Sequence, residues 1–169
     1  PAKFICENSI RSILKNLILK REAYKKNLVF VTGADDSFFE SLVQLVDHFQ
    51  NKFPNNTLIV YNLGINENKL SNLISNYPNI IVEQFNFDKY PNFYSKRDNF
   101  KKLGSYAWKS AIIYEVIREY ESQVIWMDTG NLVKGKLIFL RIVLTAFGFI
   151  SPFSIGSIKE WTHPNVLDV

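Results

Sequence analysis

From Asn27 onward the chain alternates short unbroken apolar runs with longer stretches whose apolar residues recur at helical spacing. Leu28-Val29-Phe30-Val31-Thr32 is a continuous apolar run, the signature of a strand covered on both faces. It ends at Gly33, and Asp35-Asp36-Ser37 supplies N-cap chemistry for a helix over about Phe38 to Lys52. Phe39, Leu42, Val43, Leu45, Val46 and Phe49 form the core face of that helix. Leu58 to Tyr61 predicts a second strand, Glu67 to Ser75 a shorter helix, and Ile80 to Val82 a third strand. A helix over Tyr106 to Tyr120 leads into the strand Val124 to Met127. A helix over about Val133 to Phe147 and a strand near Phe149 to Phe153 complete the series.

Strands alternating with helices predict an α/β, Rossmann-like fold: a mostly parallel sheet with helices on both faces. Ligands of such sheets bind beyond the carboxyl ends of the strands. The residues that follow each strand are therefore the first candidates for function. Between Asn86 and Ser105 the periodicity stops. Phe87, Tyr90, Phe93, Tyr94 and Phe100 are interleaved there with Lys89, Lys96, Arg97, Lys101 and Lys102. An irregular segment of that length is expected to be mobile or functional. The oily stretch Leu137 to Phe153 is interrupted by Arg141, Thr145, Gly148, Ser151 and Pro152, so it reads as a buried helix followed by a strand rather than a membrane span.

Composition narrows the class. At 169 residues, 47% of them hydrophobic and 21% charged, the chain is long and apolar enough for one packed domain and is not a disordered tail. A single cysteine, Cys6, excludes a disulfide framework and a cysteine-based zinc site. The net charge of +4 sits on one segment: residues 1–30 hold seven Lys and Arg against two Glu, the remainder thirteen against fourteen acids. Basic charge is thus not spread over the folded part, and nucleic acid is not expected as a partner. Phe4 to Arg21 reads as an amphipathic helix, and residues 1–26 as a basic N-terminal stem ahead of an α/β domain at 27–169. The only methionine is Met127, so the sequence is expected to be a processed chain or a fragment.

Three motifs compete. Val31-Thr32-Gly33-Ala34 resembles the opening of a dinucleotide turn, but the next glycine is Gly64, and Asp35 and Asp36 would repel a pyrophosphate. Gly130-Asn-Leu-Val-Lys-Gly-Lys-Leu has the G-x-x-x-x-G-K spacing of a phosphate loop, yet Leu137 stands where a magnesium-binding hydroxyl is needed. Asp128, directly after the strand Val124 to Met127, is placed to hold a divalent cation or a ribose hydroxyl, or to cap the following helix.

The words Leu28-Val-Phe-Val-Thr-Gly-Ala-Asp, Tyr106-Ala-Trp-Lys-Ser-Ala-Ile-Ile, Ile125-Trp-Met-Asp-Thr-Gly-Asn, Gly148-Phe-Ile-Ser-Pro and Trp161-Thr-His-Pro follow one another in this order. Together they resemble an uncharacterised family of predicted nucleotide-diphospho-sugar transferases with a GT-A-type fold. The resemblance implies a glycosyltransferase that binds a nucleotide sugar and passes the sugar to a hydroxyl of a glycan, lipid or protein. It implies that Thr32, Gly33 and Asp35 line the nucleoside pocket and that Asp128 holds Mn²⁺ or Mg²⁺, with Asn131 adding a neutral oxygen; His163, a lone His before Pro, would join them only if the chain folds back and reads instead as a surface or capping residue. Gly130 replaces the second Asp of the family's metal motif, which leaves one carboxylate for the cation. The alternative is a non-catalytic or truncated binding module of the same fold, because only about forty residues follow the middle-strand motif.

Lys109 is a candidate on its own account. It borders the core stripe Trp108, Ile112, Val116 and Tyr120 and lies in the first turn of its helix, where the helix dipole disfavours a cation. A cation kept there points to an anion nearby, such as a diphosphate; the alternative is a lysine whose stem lies along the apolar border and carries its ammonium out to solvent. Asn55-Asn56-Thr57 is a glycosylation sequon on a turn, which together with the basic stem suggests the lumen of the secretory pathway; with seventeen Asn in the chain such a triplet also arises by chance.

Overall fold

A computed structural model describes residues 28–97 and 103–151. Its element order is β1 (Leu28–Ala34), α1 (Phe39–Lys52), β2 (Thr57–Asn62), α2 (Glu67–Asn76), β3 (Ile80–Gln84), α3 (Trp108–Tyr120), β4 (Gln123–Trp126) and α4 (Leu137–Phe147). The strands form one sheet in the order β3-β2-β1-β4, and every pair is parallel. The α/β expectation therefore holds.

Side chains alternate across β1, and each set meets a different helical layer. Leu28, Phe30 and Ala34 face α1, where Leu42, Leu45, Val46 and Phe49 are buried, and Leu73 of α2 joins the same cluster. Val29 and Val31 face the other way, onto Trp108, Ala111, Ile112 and Val116 of α3. Every residue of β1 is buried, which is why its run carries no polar alternation. Asp35 accepts a hydrogen bond from the Ser37 backbone N–H at 2.9 Å and opens a short 3-10 turn, Asp36–Phe38, that leads into α1. Asn66 caps α2 in the same manner through Asn68.

The chain passes from β1 outward to β2 and β3 with α1 and α2 on one face. It then crosses by α3 on the opposite face and returns beside β1 as β4. The direction of strand addition thus reverses between β1 and β4. Parallel sheets open a crevice at such a reversal, at the carboxyl ends of the two strands.

Two expectations are corrected. The segment Leu137–Phe147 is helical but not buried: none of its residues is buried, and Phe139 and Phe147 are 73% and 78% exposed. Among the described residues no layer covers it, so its apolar sequence was an unreliable guide to depth. The strand near Phe149 to Phe153 is also not formed over 149–151, where Phe149 lies open and, among the described residues, no strand pairs with it. Residues 152–153, the helix expected over Phe4 to Arg21 and His163 lie outside the described residues. Among the described residues no helix is long and apolar enough to cross a membrane.

The irregular stretch is built from short turns at Phe87–Lys89, Asn92–Ser95 and Gly104–Tyr106. Its aromatic residues extend the α3-side core: Phe85, Tyr90 and Tyr94 stack in sequence with centroids 5.2 and 5.0 Å apart. Arg97 pairs with Leu103 in an antiparallel bridge, and Gly104 N–H donates to the Lys96 carbonyl at 2.7 Å. Gly104, Ser105 and Tyr106 all have left-handed φ, at 54°, 45° and 65°. That conformation is costly for Ser and Tyr, about 1–2 kcal/mol each, so the rest of the loop must hold it in place.

Candidate functional site

The crevice between β1 and β4 opens into a cavity of about 770 Å³. A small-molecule ligand fits a space of that size. Its walls come from the loop after β1 (Gly33, Asp35, Ser37), the loop after β4 (Asp128, Thr129, Gly130), the start of α3 (Trp108, Lys109) and the irregular stretch (Arg97, Leu103, Tyr106).

Gly33 is closely packed. A Cβ at this position would meet Trp108 at 3.2 Å, Leu63 at 3.3 Å and Trp126 at 3.4 Å. Its hydrogen lets two indoles close over the end of β1, which accounts for the Val-Thr-Gly-Ala word without a pyrophosphate. Trp108 is fixed in turn by donating Nε1–H to the Leu103 carbonyl at 2.8 Å.

Two ion pairs face the cavity. Arg97 Nη2 donates to Asp35 Oδ2 at 2.6 Å, and the Asp35 side chain is only 6% exposed. Lys109 Nζ donates to Asp128 Oδ1 at 2.5 Å, and Trp126 Nε1–H reaches the same oxygen at 2.8 Å. Trp126 and Asp128 are two residues apart at the end of β4, so their side chains leave the strand on one side. The Lys109 ammonium also lies 4.8 Å from the Tyr106 ring centroid, 5.9 Å from Trp108 and 5.7 Å from Trp126. Three aromatic faces around one ammonium stabilise the charge there despite the helix dipole.

Partial burial pushes the Asp128 carboxyl up, but the hydrogen bonds from Lys109 and Trp126 and the Lys109 charge outweigh it, so its pKa falls below the ordinary 3.8. A carboxyl with a depressed folded-state pKa stabilises the fold above its unfolded value and loses that contribution as pH falls through the folded one. Asp128→Asn is therefore expected to lower stability at neutral pH by less than about 1 kcal/mol, the range of half-exposed pairs. The deficit should shrink as the pH is taken below 3.8. Melting curves from pH 7 to strongly acidic pH check this, and a deficit that does not change with pH would refute it.

The structure brings Gly33, Asp35, Lys109 and Asp128 to one cavity. It does not bring the other two expected residues there. Thr32 is fully buried inside the sheet layer and its Oγ1 has no hydrogen-bond partner. Asn131 is exposed, and its backbone N–H closes a turn on the Asp128 carbonyl at 2.9 Å. Asp128 is not a helix cap either, because α4 begins nine residues later with Lys136 at its N-cap position. The glycine-lysine stretch forms no phosphate loop: His48 Nε2 lies 3.0 Å from the Val133 carbonyl and Lys52 donates to the Lys134 carbonyl, which ties this segment to α1.

Comparison with known proteins adds a family. Residues 8–114 match the family described as protein of unknown function, DUF1647. The chain belongs to the DUF1647 family. No curated protein matches it. Among solved structures, this DUF1647 chain is similar to the galactosyltransferase LgtC in complex with donor and acceptor sugar analogs, at 21% identity over 66% of this chain and 41% of that one, with a TM-score of 0.46. An active-site mutant of LgtC gives the same figures. Core-mannan synthase A from Aspergillus fumigatus, in a Mn/GDP form, is similar at 14% identity over 57% of this chain and 26% of that one, with a TM-score of 0.31. The DUF1647 chain spans less than half the length of the solved structures it matches.

The DUF1647 cavity was tested for a divalent cation by its donors. Mg²⁺ and Mn²⁺ require several oxygen ligands. Among the described residues the cavity offers two carboxylates: Asp35 is committed to Arg97 and Ser37, and Asp128 holds Lys109 and Trp126 on Oδ1. Among the described residues no three His, Cys, Asp or Glu come together. The donor set of the described residues does not fit such a cation.

Two members of this DUF1647 site, Trp108 and Trp126, have polar roles that their apolar setting hides. Lys96 and Arg97 read from sequence as a basic loop able to stabilise a departing diphosphate, but only the folded loop sets Arg97 against Asp35. Trp108 and Trp126 read as core residues. The spacing Trp126-x-Asp128 at a strand end was the available signal for their polar role.

Proposed function

We propose that this cavity binds the diphosphate of a nucleotide sugar, and that the domain transfers the sugar to a hydroxyl acceptor. One observation carries the reading: Lys109 and Arg97, from two separate segments, converge on a cavity at the switch point of a parallel sheet. The motif resemblance implies the same ligand class. In the transfer, an acceptor oxygen would bond to the anomeric carbon as the bond from that carbon to the diphosphate oxygen breaks. The diphosphate leaves carrying the bond's electron pair, and Lys109 and Arg97 stabilise the developing charge. The indoles of Trp108 and Trp126, packed over Gly33, exclude water from that end of the cavity.

A non-catalytic binding module has its own support. Among the described residues, Asp35 and Asp128 are the only carboxylates lining the cavity, and both are held by cations. Neither is free to take the acceptor proton, so a base must come from elsewhere or transfer does not occur.

A thermal-shift series with UDP, GDP, ADP and their sugar conjugates tests the reading. A ligand at one hundred times its dissociation constant stabilises the native state by about 2.7 kcal/mol, and Tm rises accordingly. One nucleotide is expected to raise Tm, and Lys109→Ala with Arg97→Ala to abolish the rise. No rise with any of them, in a sample that melts cooperatively, would overturn the proposal. Release of free sugar or transfer to an added acceptor separates an enzyme from a binding module.

A further inference from the structure

We infer that Lys109 supplies from the protein itself the positive charge that the family resemblance assigns to a metal ion, so that the diphosphate is bound without a divalent cation. The inference rests on the nucleotide-sugar reading and deepens it.

The Lys109 ammonium already occupies the cation position at Asp128. It sits 2.5 Å from Oδ1, within 6 Å of three ring centroids, on a side chain only 28% exposed. A divalent ion approaching that oxygen would meet a fixed like charge and would also displace the Trp126 N–H. Among the described residues Oδ2 alone would remain to it, because the other carboxylate of the cavity, Asp35, is buried against Arg97. Gly130, at the position where the resembling motif has its second Asp, adds no side chain at all. The loss of that carboxylate and the presence of the lysine are thus one arrangement: with a metal both acids are needed, and with an ammonium one suffices to aim it.

Charge bookkeeping agrees. Among the described residues the charges lining the cavity, Asp35, Arg97, Lys109 and Asp128, cancel one another. An incoming diphosphate shares Lys109 with Asp128 and takes Arg97 donors on its other side, as charge-assisted hydrogen bonds. Asp128 is then a positioning residue. It holds Lys109 in place and does not touch the ligand.

Titration calorimetry of the whole chain with UDP, GDP, ADP and inorganic pyrophosphate, once in EDTA and once in Mn²⁺, decides the matter. Affinity is expected to agree within about threefold between the two buffers. Lys109→Met is expected to lose about tenfold or more, and Lys109→Arg to recover most of it. Asp128→Asn is expected to tighten pyrophosphate binding, because it frees the ammonium. A metal ligand would behave oppositely. Melting curves of each variant confirm that it is folded.

Binding seen only with Mn²⁺ and lost in Asp128→Asn would overturn this inference while upholding the nucleotide site. Binding of no probe in either buffer, by wild type that melts cooperatively, would overturn the nucleotide reading and this inference with it.

Discussion

Phe30→Ala is expected to destabilise the protein by about 3–5 kcal/mol, the range for deleting a large aromatic side chain from a packed core. Phe30 lies on the central strand with no exposure to solvent. Its ring meets Phe49 edge-on at 4.8 Å and stacks on Phe53 at 5.7 Å, so one side chain joins the sheet to the body and end of α1. In the register of the sheet its neighbours are Leu58 on β2 and Ile125 on β4. Neither can advance into the space, because each is fixed by its own ladder of hydrogen bonds. The cavity would remain partly open, and it is the open volume that makes such deletions expensive. Urea unfolding measures the effect, and a loss below about 1.5 kcal/mol would mean that α1 settles onto the sheet and Phe30 is not the keystone of that layer.

Gly104→Ala is expected to cost about 2–3 kcal/mol and to abolish ligand binding together with stability, a combination that no other position in the loop should show. Two effects add there. The φ of +54° disfavours any Cβ, and the methyl group would fall inside contact distance of the Tyr94 carbonyl oxygen and 2.9 Å from the Tyr94 Cα. The obstacle is backbone and cannot rotate aside. Relief requires the turn Gly104–Tyr106 to separate from the turn that ends at Ser95, which breaks the bond from Gly104 N–H to Lys96 and moves Arg97 away from Asp35. Denaturant melts combined with nucleotide titration test both halves. Full binding in a destabilised variant would show that Arg97 keeps its place without this contact.

The sheet was readable from sequence because burial on both faces leaves a plain mark: β1 and β2 are unbroken apolar runs, and their limits came within a residue or two. Asp128 and Lys109 were readable for a related reason. A charged residue directly after a buried strand, or on the border of an apolar helix stripe, contradicts its surroundings and so draws attention. The depth of α4 was not readable. Its apolar residues state a preference for burial, but burial needs a partner surface, and that is not written in the residues themselves. The partnership of Arg97 with Asp35 was hidden for another reason. It joins positions 62 residues apart and depends on a loop held by left-handed backbone at Ser105 and Tyr106. Periodicity carries no trace of either. Thr32 shows the limit of motif transfer: the word it belongs to was found correctly, but strand alternation turns its side chain toward α1 and away from the cavity.

The crowding of Trp108 and Trp126 around the Lys109 ammonium has an optical consequence. Indole emission responds to a charge a few ångströms from the ring, and these rings lie 5.9 and 5.7 Å from one that is tethered to a half-exposed carboxylate. Whatever shifts that ammonium, whether an anion, acid or salt, changes the light the protein emits. The chain carries its own dye at the mouth of its cavity, and occupancy can be followed without a label, a coupled assay or knowledge of the acceptor.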